Sequence, residues 1–300
     1  MRLNKITKND IKTLESYFEK NQPELSHYSL SSIFLWNGCI YDVYLGFIDE
    51  NLIIAELPYE NPNKKRILFP LSQNPPAPDK LSAILRKINF TTVYYAPESY
   101  IKQNPEIQIY FEIYEQTDYT DYVYRTESLK ELVGSKYSSK RNLLHQFEKI
   151  YKDSYEVKPF SQQTIDSVIS FIHEIKDQIS PGKSFDIYNC EISAIENIKR
   201  YINDISFFGI CVYIAGKISS FAIGSHLNNN TCILNFEKAD KNVKGLYQFT
   251  DREFAKHVYG KYLFINKESD IGKEGLKKAK ISYHPHKTIK SFMLVLKDNQ

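Results

Sequence analysis

Two dipeptides, Asp49-Glu50 and Ala215-Gly216, each sit between a pair of β-rich runs, Tyr41 to Ile48 with Asn51 to Leu57 and Phe207 to Ile214 with Lys217 to Ser225. Runs of this composition joined by two residues read as antiparallel hairpins. Each hairpin is followed by a strand, a helix and a strand, which predicts that the same order of elements is laid down twice. In the first half the later elements are Arg66 to Phe69, a loop with Pro70, Pro75, Pro76 and Pro78, a helix with Leu81, Ile84, Leu85 and Ile88 on one face, and Thr91 to Tyr95. In the second half they are Thr231 to Phe236 after Asn228-Asn229-Asn230, a helix opened by Gly245 and running through His257, and Tyr262 to Ile265. A helix over Gly272 to Lys280 and a strand over Ser291 to Leu296 complete the chain.

Helical spacing precedes both hairpins. Asn9-Asp10 caps a helix carrying Ile11, Leu14, Tyr17 and Phe18, and Ser29 to Trp36 forms a second. Ser135 to Tyr151, Ser161 to Lys176 and Ser193 to Tyr201 serve the other half. The 300 residues therefore divide into two expected domains, 1–120 and 121–300, with Thr117 to Tyr124 as a strand crossing between them.

Composition excludes several classes. With 42% hydrophobic and 25% charged residues the chain is not disordered. Its longest apolar run, Phe207 to Ala215, is broken by Gly209 and is far shorter than the ~20 residues of a membrane span. Met1 to Asp10 lacks a signal-peptide core, and Cys39, Cys190, Cys211 and Cys232 form no CxxC pair. Four reduced thiols in a cytoplasmic protein are the expectation. A net charge of +3 does not by itself mark a nucleic-acid binder. No Walker loop, HExxH or Ser-His-Asp pattern is present. His284-Pro285-His286 lacks a third nearby ligand, so no metal is expected.

Several blocks carry a family likeness: Tyr119 to Tyr124, Gly134 to Asn142, Phe236 to Asp240 with Gly245 to Tyr247, Ile265 to Gly272 and Glu274 to Pro285, extended into the first half by Ser29 to Trp36 and Tyr41. In order and spacing these resemble a bacterial family related to the C-terminal catalytic domain of phosphatidylglycerol lysyltransferases, a tandem Gcn5-related N-acyltransferase fold. The resemblance and the element order together imply an α+β protein with two acyltransferase-like domains, each a mixed, mostly antiparallel sheet flanked by helices. They also imply a soluble transferase that moves an aminoacyl group from aminoacyl-tRNA, or an acyl group from acyl-CoA, to an amine or hydroxyl of a lipid or small molecule. No tightly bound cofactor is expected. The alternative is a non-catalytic tandem module that binds tRNA or a small anionic ligand.

The resemblance also points to residues. Glu237 ends the third strand of the second domain, where the lipid-modifying relatives carry an acidic residue in Asp-Leu-Met-Arg and this chain reads Glu-Lys-Ala-Asp. It implies a catalytic base or substrate anchor at Glu237 with Lys238 beside it; the plainer alternative is a structural ion pair. Lys280 and Tyr283 lie in Lys-Ala-Lys-Ile-Ser-Tyr-His-Pro, against Lys-x-Lys-Phe-x-Pro in the relatives. Lys280 would stabilise an oxyanion or meet the acceptor end of tRNA, unless it is a solvated lysine. Tyr283 is a substrate contact or core. Asn266, Lys267 and Asp270 occupy a polar, glycine-punctuated stretch suited to acceptor contact, although Asp270 can equally cap a helix beginning near Gly272.

Phosphate contacts are expected from Lys244 and Gly245, where the usual Gly-rich loop is reduced to one glycine followed by Leu246 and Tyr247. This degeneracy argues against standard acyl-CoA binding. Lys136, Lys140 and Arg141 can form a basic strip for the donor, and Lys277 belongs to a run of nine lysines against three acids between 256 and 290. A solvated basic face is the alternative for that run.

Overall fold

The computed structural model describes residues 3–175 and 185–298. A first compact unit runs to Asp121 and takes in Ser269–Lys273 and the chain from Thr288 onward; a second holds Tyr122–Glu268 and Glu274–Lys287. The expected division into 1–120 and 121–300 assigned those two later segments to the second domain.

The first sheet is built from β1 (Asn4–Lys5), β2 (Tyr41–Ile48), β3 (Asn51–Pro58), β4 (Arg66–Leu68), β5 (Thr92–Pro97) and β6 (Phe111–Glu115). The second has β7 (Asp121–Arg125), β8 (Tyr155–Pro159), β9 (Phe207–Ile214), β10 (Lys217–Asn228), β11 (Thr231–Ala239), β12 (Phe264–Asn266) and β13 (Lys287–Ile289). The last strand, β14 (Ser291–Leu296), inserts into the first sheet, giving the order β1-β2-β3-β4-β5-β14-β6. Read from its other end, the second sheet is β8-β9-β10-β11-β12-β7-β13. Both sheets therefore follow one plan: three antiparallel pairings, one parallel pairing (β4 with β5, β11 with β12), then an antiparallel strand from elsewhere in the chain. A parallel pair needs a crossover, supplied by the helices Pro78–Ile88 and Leu246–Val258.

Both predicted hairpins form. Asp49 turns β2 into β3 at φ 52°, and Ala215 and Gly216, at φ 49° and 79°, turn β9 into β10. Thr117 to Tyr124 is not one strand: Thr117–Tyr119 is a 3-10 turn and pairing begins at Asp121. The Asp121 carboxylate accepts from the Ser26 N–H (2.7 Å) and hydroxyl (3.1 Å), holding the chain in place after that turn. The helix expected over Ser161 to Lys176 spans Ile165–Glu174, and Lys176 lies outside the described residues. Cys211 and Cys232 are buried free thiols, whereas Cys39 and Cys190 are disulfide-bonded, which corrects the expectation of four reduced cysteines.

In the second unit, helices Ser138–Tyr151 and Leu246–Val258 share a core in which the Phe147 and Phe249 rings lie 4.5 Å apart. Gly245 permits that approach. Its φ is 83°, and a Cβ there would stand 2.1 Å from the Leu143 carbonyl oxygen. Gly245→Ala is expected to destabilise by more than about 1 kcal/mol, read as a lower denaturant midpoint at unchanged slope.

Candidate active site

The second sheet opens because β12 stops early. Thr231, Cys232 and Ile233 of β11 pair with Phe264, Ile265 and Asn266, and β11 then runs on to Ala239 without β12 beside it. The cause is local: the buried Asn266 side-chain oxygen accepts from the Glu268 N–H at 2.8 Å, closing a turn, and Glu268 adopts φ 59°. The departing backbone stays tied to the other neighbour, with the Lys267 N–H donating to the Tyr122 carbonyl at 2.9 Å. On β11, Phe236 faces Ile223 and Leu234 faces Gly224, so Asn235 is the extra residue of a bulge.

Into this opening project Glu237 from β11, Asp251 from helix Leu246–Val258 and Lys267 from the end of β12. The Lys267 ammonium pairs closely with the Asp251 carboxylate and lies 3.5 Å from the Glu237 Oε2. All three side chains are at least 86% buried, at 14% exposure for Glu237, 12% for Lys267 and 7% for Asp251. The Tyr283 hydroxyl hydrogen-bonds with Asp251, and its ring lies 5.0 Å from the Lys267 ammonium.

Two carboxylates share one ammonium, and the consequence falls on Glu237. Burial and the nearby Asp251 charge push its carboxyl up to about 7, against the opposing pull of Lys267. Its Oε1 is buried and accepts no hydrogen bond. Burial works against the Lys267 charge, but Asp251 and Glu237 outweigh it and hold the ammonium well above its ordinary value. Tyr283 is pushed far above the usual phenol range, first by burial and then by both carboxylates. The arrangement offers a carboxyl poised near neutrality, with one free acceptor oxygen, beside a permanent cation.

Lys280 reaches the same place from behind. Its ammonium donates to the Lys267 and Glu268 carbonyls, the latter at 3.1 Å, and its own carbonyl accepts from the Tyr124 hydroxyl at 2.7 Å. It thus holds the backbone from which Lys267 projects, and Lys267 is the ammonium that meets Glu237. Lys238 forms an ion pair with Glu191 at 2.6 Å. The Asp270 carboxylate accepts from the Gly272 N–H at 2.9 Å, two residues before helix Glu274–Ile281; it belongs to the first unit.

The expected phosphate contacts separate. Lys140 is half-buried, donates to the Ser282 hydroxyl at 2.7 Å and lies 4.1 Å over the Tyr283 ring. Burial depresses its ammonium, Asp251 opposes this, and Lys267 adds to it, so Lys140 borders the cluster. Arg141 instead donates to the Leu132 and Gly134 carbonyls, and Lys136, Lys244 and Lys277 are exposed. The Leu143 carbonyl oxygen packs against Gly245 where a Cβ would otherwise stand. The lysine run from 256 to 290 is not a single face, because Lys267 and Lys280 turn inward. Among the described residues no set of three His, Cys, Asp or Glu side chains is grouped to hold a metal.

Asp251 was not anticipated from sequence. Its signal was a carboxylate in register with an apolar stripe: Tyr247, Phe254, Ala255 and Val258 share its helix face.

The chain matches the family described as phosphatidylglycerol lysyltransferase, C-terminal, over residues 22–295. It is similar to an uncharacterised protein of Mycoplasmoides gallisepticum, at 24% identity over 243 residues covering 78% of this chain and 76% of that one. Among solved structures it resembles a conserved protein of unknown function from Bacteroides thetaiotaomicron, with 25% identity, a TM-score of 0.89, and 99% and 100% of the two chains covered. The structure of L-PGS from Bacillus licheniformis superposes with a TM-score of 0.63 at 11% identity, covering 96% and 92%. That of FemX gives 0.59 at 10%, covering 99% and 98%. The last two likenesses concern the fold, a tandem Gcn5-related architecture.

Proposed function

Because the chain belongs to the phosphatidylglycerol lysyltransferase C-terminal family, we propose that it is an acyl-group transferase working at the opening of the second sheet, with aminoacyl-tRNA as donor. The observation that carries this reading is the Glu237 carboxyl, poised at about 7 with its Oε1 unpartnered. When an amine or hydroxyl attacks the ester carbonyl of the donor, it must lose a proton. The ionised Glu237 accepts that proton through Oε1. As the new bond forms, negative charge gathers on the carbonyl oxygen, and the Lys267 ammonium stabilises it. Collapse releases the tRNA hydroxyl, and the protonated Glu237 can return the proton to that leaving oxygen. Asp251 and Tyr283 position Lys267; Lys280 positions the backbone carrying it.

The single glycine of the loop, followed by Leu246 and Tyr247 where a small residue would let the backbone approach a pyrophosphate, favours the aminoacyl-tRNA donor over acyl-CoA. The acceptor is an amine or hydroxyl of a lipid or small molecule. No helix among the described residues is long and apolar enough to cross a membrane.

The test is transfer of labelled lysine from lysyl-tRNA, with acetyl-CoA as the competing donor and with phosphatidylglycerol vesicles, glycerol phosphate and polyamines as acceptors. Label leaving tRNA for an acceptor is the expected result. Salt-sensitive tRNA binding without transfer to any of them would instead indicate a binding module.

A further inference from the structure

The first unit carries a polar cluster that the transfer chemistry does not use. Four side chains line up across neighbouring strands: Tyr41 on β2, Glu56 on β3, Arg66 on β4 and Tyr94 on β5. Glu56 and Arg66 are cross-strand partners, and the Arg66 Nε donates to the Glu56 carboxylate at 2.7 Å with both groups largely buried. The guanidinium lies 4.4 Å over the Tyr94 ring and 6.0 Å from that of Tyr41. Its two terminal nitrogens donate to no described residue. Neither nitrogen is among the buried side-chain atoms that lack a partner, so both stay open to solvent or to a ligand.

Two further groups face the same place. His27 stacks on Tyr95 with ring centroids 3.8 Å apart and meets Tyr119 edge-on at 5.8 Å. Its Nδ1 is buried and has no hydrogen-bond partner. Burial, assisted by Arg66, pushes the imidazole down to about 3, so it is neutral at ordinary pH. Tyr95 reaches its stack through a left-handed backbone at φ 63°, retained because the Gln116 side-chain oxygen accepts its N–H at 2.9 Å. A bulky residue held in that region inside a strand is strained, and such strain concentrates where a site must be shaped. Tyr95 also follows the last residue of the parallel pairing, Tyr94 opposite Leu68, just as Lys267 follows Asn266 in the second sheet. The two units thus place functional side chains at equivalent positions.

We propose that this cluster is a binding site for the carboxylate of a small planar molecule, with Arg66 as the fork that grips it. A guanidinium presents parallel N–H groups that match the two oxygens of a carboxylate. Glu56 already balances the Arg66 charge, so the site favours a monoanion over the more heavily hydrated phosphate dianion. The partly exposed rings of Tyr94, one face of which Arg66 covers, and Tyr119, tilted 56° to it with centroids 6.4 Å apart, provide apolar walls beside the guanidinium, and His27 offers a further polar contact.

Benzoate titrated into the full-length protein by calorimetry, with the histidine imidazoles followed by nitrogen NMR, tests this. Saturable one-to-one binding that moves the His27 resonances is expected. Tyr94→Leu should weaken binding about tenfold, and Arg66→Lys, which keeps the charge but loses the fork, should do so by more. If Arg66→Lys does not fold, Tyr94→Leu on the half-exposed rim decides the matter. The proposal is overturned if no saturable binding is seen, if His27 does not respond, if folded Tyr94→Leu binds as tightly as the parent chain, or if inorganic phosphate competes as well as benzoate.

Discussion

Glu237→Gln is expected to lower the transfer rate by about 10²–10⁴-fold while the protein stays folded. The amide keeps the shape and loses the ability to take a proton. Because the parent carboxyl is held at about 7, the parent rate should rise with pH through that value, and the variant should lack this limb. Stability runs the other way. A carboxyl raised in the folded state from an ordinary 4.5 binds more protons folded than unfolded between those two values. The parent therefore loses stability as pH rises through this interval, and Glu237→Gln does not. Above it the variant should be at least as stable as the parent in thermal unfolding. A variant both inactive and less stable at high pH would make Glu237 a structural carboxylate.

Lys267→Met should destabilise the protein by about 3–5 kcal/mol at neutral pH, measured by denaturant unfolding. The substitution is close in volume and leaves the Asp251 and Glu237 carboxylates buried without their shared cation. The loss should shrink as pH falls and the carboxyls take up protons. It should also shrink in the double variant Lys267→Met with Asp251→Leu, which removes one of the stranded charges. Neither double nor single variant should transfer, since the oxyanion loses its ammonium. A Lys267→Met chain of parental stability would show that the three groups are not coupled.

Much of the architecture was legible because it rests on local rules. The turns at Asp49 and at Ala215-Gly216, the apolar face of Pro78–Ile88 and the start of a helix after Gly245 depend on short-range periodicity and on backbone conformations that few residues adopt. Family motifs pointed to Glu237 and to the stretch around Lys267. Less legible were the strand proposed over Thr117 to Tyr124, where Ser26 anchors Asp121 from far away in the chain, and the membership of β14, which pairs with strands about 180 to 200 residues earlier. Pattern alone cannot register such long-range pairings.

The division is sharpest at the two clusters. Residue type and spacing were enough to announce a repeated sheet-and-helix plan, and the family resemblance singled out the acid at the end of β11. Which lysine meets that acid depended on folding: Lys267 and Lys280 both turn inward, yet one ends on a carboxylate and the other on carbonyl oxygens. Charge pairing across 16 to 30 residues is decided by where strands end and how deeply each group is buried, quantities that exist only after the chain has packed.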